Sequence, residues 1–596
     1  MNIPVETVSP SYDKDNSDLI LDLSFNGKLN PEINQIFNII SFQNRNNFNE
    51  MVTILSNKHK DNLDWWVQGP ASRNTFSSPF FHYYCSIVLV LHLIENKVFI
   101  PKEIIVDSTR LKGIIKNILY DFGIKNCKVR KNTDYNTFIK KMLKAYFSSL
   151  VLFFKKVFQL FIAKLTKTAQ TRIFFSNPVK LIDTFVSPGY EKIDRWYGCL
   201  WDNLSEERRA ETYFVPTFVN IPLNAWYSIY TSLRSNAKNY ILKEDYLNFR
   251  DILFSFNHKK RIKKLVIEPY YLSGYDISGL VREEFENNTD FLTVIDSLLT
   301  YRFIKHFSHA GNKVSLALDW FEGQVIDKAW NIGFKTYYPK VKKIGYRPFG
   351  PFPFYLCSYP IKIEKESGVI PDTIAVYGKG LAANIQEFLP ELDVIVVPSL
   401  RTQHVWEWDL NSHNYQEKKK KINVLVTLPE STHSACRIVK ELFELNNQDV
   451  SLLDYTNFTI KLHPNCSVNK EFKKLIALVS DQFTFTNEKS FAILLKKTDL
   501  VITEASGSSL EALACGIPVI IMESSYGLNH SLIPEDISNS LYQKTKTPQL
   551  LDEALKKIIN LSPGLRDKNR IMGKQIRDDY FEPVSQKGID LLMNII

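Results

Sequence analysis

Two short stretches of this chain carry side chains suited to gripping an anion. The first is Lys461-Leu462-His463-Pro464, at the end of the apolar run Phe458–Leu462. An imidazole placed where a strand stops can donate to a phosphate or serve as an acid near neutral pH. Pro464 fixes the chain as it leaves the sheet. The second holds Ser506-Gly507-Ser508-Ser509 between a strand at Leu500–Thr503 and a helix over Leu510–Cys515. Such a turn brings backbone N–H groups, hydroxyls and the positive end of a helix dipole to one point. Glu511, in the first helical turn, is placed to hold ribose hydroxyls. Either stretch alone is often no more than a cap. Together, in this order and strand context, they point to a phosphate-bearing ligand.

Further candidates sit on loops. Asp319 and Glu322 follow the probable strand Val314–Leu318 in the loop Asp319-Trp320-Phe321-Glu322-Gly323. A carboxylate there can deprotonate an acceptor hydroxyl or attack an anomeric carbon; the alternative is a helix cap for Asp319 and a surface role for Glu322. Arg401, after the run Asp393–Leu400, is a bidentate clamp for a phosphate or carboxylate. Ser431 and Thr432 open a helix after the strand Asn423–Leu428, so their hydroxyls join the donor side. Ser72-Arg73-Asn74 occupies a strand-to-helix loop and is the candidate acceptor contact. No metal and no cofactor is expected. The Asp-x-Asp at Asp13/Asp15 lies in a polar tail, and no His, Cys and carboxylate cluster has ligand spacing.

These side chains need sheets to hold them. Short apolar runs alternate with helical stretches along the chain, a pattern that predicts parallel sheets covered by helices. The expected fold class is α/β: two Rossmann-like domains facing across a cleft, with ligands beyond the carboxyl ends of the strands. The expected division is a polar tail over 1–20, a first Rossmann-like domain over 21–360, a second over 361–565, and closing helices over 566–596. The stretch Arg347–Pro360, rich in Pro and aromatics, places the connection near 355–372.

The positive charge is local. The chain has 596 residues and a net charge of +10. Between Tyr135 and Ile182 there is no Asp or Glu, while Lys140, Lys141, Lys144, Lys155, Lys156, Lys164, Lys167, Arg172 and Lys180 all fall there. Without them the chain is close to neutral. Within 137–170 the sequence reads as an amphipathic helix, inserted in the first domain. Its expected apolar face is Met142, Tyr146, Leu150, Phe153, Val157, Leu160 and Phe161; Lys141, Lys144, Ser148, Lys155, Lys156 and Gln159 form the other. That combination suits an anionic membrane surface, with a plain packed helix as the alternative. So many Phe and Leu residues argue against nucleic acid.

Composition excludes the remaining classes. A hydrophobic share of 44% rules out disorder. Seven scattered Cys without a CxxC pair read as reduced thiols. A polar, acidic start without an apolar core predicts a chain that stays in the cytoplasm.

The ordered pair FTIKLHPN and DLVITEASGSSLEALACGIPVIIMES resembles the C-terminal half of glycosyltransferases with the B-type fold. The likeness is nearest to bacterial surface-polysaccharide enzymes that pair a His-Pro motif with a downstream Ser motif, among them CMP-sialic-acid and CMP-Kdo transferases. It is most specific over 373–524 and looser upstream to the loop at 72–76. It implies a CMP-linked ulosonic acid as the nucleotide-sugar donor, bound by the domain over 361–565, and a lipid-linked surface glycan as acceptor, bound by the domain over 21–360, at the inner face of the cytoplasmic membrane. It also implies that His463 and Pro464 contact the donor phosphate, that Ser506, Ser508 and Ser509 bind it or assist the leaving group, and that Glu511 lies near the ribose. The acidic motif departs from the family, since Phe321 precedes Glu322-Gly323. A UDP- or GDP-sugar transferase, a polyol-phosphate transferase, a sugar-nucleotide epimerase and a non-catalytic scaffold are the alternatives.

Overall fold

Apolar runs of strand length recur along the chain, and those that build the three larger sheets all pair in parallel. The computed structural model describes residues 20–594 except 26, 99, 133–134, 169–170, 172, 188–194, 288–290, 351, 411–420, 430, 449–455, 464–469, 478–482, 487, 489, 505, 525 and 531–536. All but Ile20 of the expected tail, and Pro464, lie outside the described residues.

Strands β1 (Ile20–Asp22), β2 (Glu103–Val106) and β3 (Lys128–Lys131) form a small parallel sheet in that order. Next come β4 (Val179–Val186) and β5 (Thr212–Phe218), a short hairpin of β6 (Tyr271–Leu272) and β7 (Tyr275–Asp276), then β8 (Val314–Trp320), β9 (Lys342–Arg347), β10 (Thr373–Val376) and β11 (Asp393–Val396). A six-stranded sheet takes the order β11-β10-β9-β8-β4-β5. Pro216 is tolerated because β5 is the edge strand. The second six-stranded sheet is built from β12 (Ile422–Thr427), β13 (Thr456–Lys461), β14 (Phe483–Thr486), β15 (Leu500–Thr503), β16 (Val519–Met522) and β17 (Tyr542–Thr545), ordered β14-β13-β12-β15-β16-β17. The chain moves outward from β12, crosses back, and continues from β15, which is the doubly wound Rossmann order with a switch point between β12 and β15. In the first sheet the reversal lies between β4 and β8.

Three expectations change. The strands at Thr373–Val376 and Asp393–Val396 complete the first sheet, so the passage to the second lies between Val396 and Ile422 and not at 355–372. The Pro-rich aromatic stretch is not a linker, because Phe354, Leu356 and Tyr359 are buried. Residues 20–131 contribute a sheet of their own and do not extend the first Rossmann sheet. The helix Tyr135–Leu165 forms, but it is turned differently. Lys156 pairs with Asp296 at 2.5 Å, and Gln159 donates to Glu244 at 2.6 Å, both buried. Phe153, Val157 and Leu160 pack on the first domain, while Leu150 and Phe161 face solvent. The acids that draw in the predicted polar face come from distant segments, so helical periodicity alone could not reveal it.

One apolar cluster spans both six-stranded sheets. Tyr377, Val397, Leu400 and Val405 meet Val501, Leu510, Leu513 and Ile521, and Ile576, Ile589 and Leu592 join from the C-terminal helices Pro563–Tyr580 and Gln586–Leu592. Glu582 N–H donates to the Tyr377 carbonyl, which ties the chain end back to the first sheet. Gly378 and Gly380 lie against Tyr580, and Lys379 pairs with Asp579 at 3.0 Å. That Gly-Lys-Gly turn therefore seats the C-terminal helix.

Candidate functional site

At the carboxyl edge of the second sheet, Lys461, Thr427 and Thr503 are in register across β13, β12 and β15. The ends of β13 and β15 are thus about 10 Å apart, two strand spacings. His463 leaves one of them and Ser506 the other, on either side of the switch point.

The serine turn is organised by hydroxyls. Ser506 Oγ and Ser508 Oγ are 2.7 Å apart, and Ser508 Oγ lies 3.1 Å from Thr427 Oγ1. Thr503 Oγ1 donates to the Thr427 carbonyl at 3.1 Å. Ser506 and Ser508 are half-buried and Gly507 is exposed. Ser509 is fully buried, and its hydroxyl donates to the Ser506 carbonyl, so it shapes the turn from inside. Glu511, half-buried in the first turn of the helix that follows, has its Oε2 3.1 Å from His404 Nε2. Ser431 is exposed and Thr432 half-buried at the start of the helix Thr432–Gln448, beyond the same sheet edge.

His463 is half-buried among cations. Burial first, then the charges of Arg195, Arg401 and Lys461, push its pKa from 6.5 to about 4, so the imidazole is neutral at pH 7. Lys461 Nζ donates to the Glu488 carbonyl at 3.0 Å. Burial, opposed by Glu488 and aided by Arg195, lowers its pKa. Both sheets supply this cluster: Lys461 ends β13 and His463 follows it, Arg195 follows β4, and Arg401 follows β11.

Glu322 stands at the switch point of the first sheet. Its carboxylate accepts from Trp320 Nε1 at 2.8 Å, Gln324 Nε2 at 2.5 Å and Tyr355 O–H at 3.4 Å. Gly323, at φ +74°, lets this loop press on the Cys357 carbonyl. Trp320 packs on Trp196, ring centroids 4.6 Å apart, and Arg195 lies over Trp196. Contacts thus run from Glu322 through the two indoles to the cation beside His463.

Asp319 faces inward. It is buried, accepts from Asn331 Nδ2 at 2.7 Å, and burial raises its pKa far above the carboxylate range. The alternation of a strand turns Asp319 into the sheet–helix interface, so it is a core group and not a carboxylate presented to the cleft. Arg73 is likewise not an acceptor contact. At φ +58° it is buried, donating to Glu364 Oε2, Asn49 Oδ1 and the Tyr359 carbonyl at 2.7–2.9 Å. Its neighbours differ: Ser72 and Asn74 line a cavity of mixed polar and apolar wall with Ser77, Val294, Val325 and Gln324, the residue that donates to Glu322.

Sequence reasoning missed Arg195. The signal lies in the Arg-Trp pair after Val179–Val186, a strand that starts within the acid-free stretch and carries Asp183 at its middle. Gln324 and Tyr355 were also missed, since neither has a motif.

No family model matches the chain, and no curated protein matches its sequence. Similar solved structures include an S. aureus MnaA-UDP co-structure, 14% identical with TM-score 0.42, covering 70% of this chain and 98% of that one. Acinetobacter baumannii MurG is 10% identical with TM-score 0.37, covering 70% and 99%. UDP-GlcNAc 2-epimerase from Neisseria meningitidis bound to UDP-GlcNAc is 13% identical with TM-score 0.35, covering 67% and 100%. The strand orders, not these distant likenesses, establish two Rossmann-like domains.

Proposed function

We propose that this chain transfers a glycosyl group from a nucleotide-sugar to a glycan hydroxyl. What supports this is the cluster of Arg195, Arg401 and Lys461 around a neutral His463, with the Ser506 and Ser508 hydroxyls following β15, two strand spacings from β13 at the same sheet edge. The donor phosphate lies against these groups. As the bond from the anomeric carbon to the phosphate oxygen breaks, the cations meet the charge left on the phosphate, and His463 and the hydroxyls donate to it. Glu322, oriented by Trp320, Gln324 and Tyr355, takes the proton of the attacking hydroxyl. Ser72 and Asn74 border the acceptor.

The donor we propose is a CMP-linked ulosonic acid such as Kdo or a sialic acid. It carries two separate anions, a phosphodiester and a sugar carboxylate, and the cations come from two separate domains. The acceptor is a lipid-linked surface glycan. The test is a thermal-shift and calorimetric panel of CMP-Kdo, CMP-sialic acid, UDP-sugars and GDP-sugars. A CMP-sugar should raise the melting temperature by mass action, and His463→Ala or Ser508→Ala should weaken it. Binding of a UDP-sugar instead would move the donor assignment; binding of none would overturn the transferase reading.

A further inference from the structure

The helix Tyr135–Leu165 leaves an apolar stripe uncovered. Val151, Phe154, Phe158, Phe161 and Leu165 recur at three- and four-residue spacing, and their side chains are 40–61% exposed. Beside them lies the helix Phe249–Phe256, whose Phe249 ring is 6.1 Å from that of Phe153. Phe249 and Leu253 of that helix are also exposed. From the following helix, His258–Ile262, Lys259 Nζ reaches Ser149 Oγ at 3.3 Å.

The exposed charge carried by these helical segments has one sign. Lys155, Lys164, Lys167, Arg250, Lys260, Lys263 and Lys264 are exposed. Residues 147–167 hold no acid, and the sole acid of 249–264, Asp251, is fully buried against Arg302 and His306. No helix among the described residues is long and apolar enough to cross a membrane.

We propose that these two helices form a platform that docks flat on an anionic lipid surface, with the Phe stripe entering the headgroup region and the bases meeting lipid charge. This differs from the face that periodicity suggests, since Phe153, Val157 and Leu160 are already packed in the core. The heptad-like spacing would also suit pairing with a second copy. Two such surfaces set together would oppose like charges with no exposed acid between them, which favours the lipid.

Sedimentation of the full chain with phosphatidylcholine vesicles, with and without phosphatidylglycerol, tests this apart from donor binding. Wild type should pellet with the anionic vesicles and be released by salt. The Phe154→Ser, Phe158→Ser, Phe161→Ser variant should lower partitioning on the order of tenfold or more at unchanged circular dichroism. Lys155→Glu with Lys164→Glu should reduce binding to the anionic vesicles alone. Wild type remaining in the supernatant, undiminished pelleting of both variants, or a wild-type dimer that the serine variant turns into a monomer would each overturn the proposal.

Discussion

Gly198 and Leu400 approach so closely that a Cβ on Gly198 would lie 2.1 Å from the Leu400 carbonyl oxygen. Gly198 has φ +50°, and the neighbouring Cys199 N–H donates to the same carbonyl. This contact joins the loop after β4 to the loop after β11. It therefore brings Arg195 and Arg401, which those loops carry, to the same histidine.

Gly198→Ala should lower both stability and donor affinity. The backbone strain alone costs roughly 1–3 kcal/mol, and the clash adds to it. Chemical denaturation and nucleotide titration on the same variant check this. Unchanged affinity in a destabilised variant would show that the two arginines are positioned independently of the contact.

His463 should stay neutral through the physiological range until an anion arrives. Its pKa is depressed from 6.5 to about 4, so the unfolded chain takes up a proton below about 6.5 that the folded chain refuses. The stability it contributes is full above pH 6.5 and is lost as pH falls toward 4. Buried His530, pushed down to about 3, acts in the same direction. NMR titration of the imidazole in the ligand-free protein should find no transition between pH 8 and 5, and a bound nucleotide should raise the pKa. A free-state transition near 6.5 would mean that the imidazole is neither buried nor close to the cations.

Glu322→Gln should cut kcat by about 10²–10⁴ while leaving donor affinity intact, as expected for loss of a general base. Tyr355→Phe should cost less, because Trp320 and Gln324 still orient the carboxylate. Steady-state kinetics beside calorimetric donor binding separates the two effects. An equal loss of donor affinity would make Glu322 a binding group.

Glu364→Gln probes the reassigned Arg73. Glu364 is buried between Arg73 and Lys328, at 2.7 and 2.8 Å. Removing its charge leaves two cations without their partner and should cost about 3–5 kcal/mol in a denaturant titration. Acceptor KM in the surviving folded protein should not move.

Much of this was legible from residue order. The second sheet announces itself because its central strands are fully buried apolar runs, and the His-Pro and Ser-turn segments mark its carboxyl edge. The first sheet was harder. Val179–Val186 follows an acid-free helix, and Lys342–Arg347 carries Gly345, where a Cβ would crowd Pro371 and Phe321. Both strands are set by tertiary packing rather than by pattern. The same cause hid Arg195, since a cation's role depends on which strand precedes it. Asp319 and Arg73 misled because an ionisable residue on a loop looks alike in sequence whether it faces a cleft or a buried partner.

The most direct measurement is calorimetric titration of CMP and of cytidine into wild type, Arg195→Ala and Arg401→Ala. Wild type should prefer CMP, and each variant should lose roughly 10–100-fold of affinity for CMP with little change for cytidine. Equal binding of CMP by all three proteins would contradict the claim that both domains close their cations on the phosphate of an activated sugar.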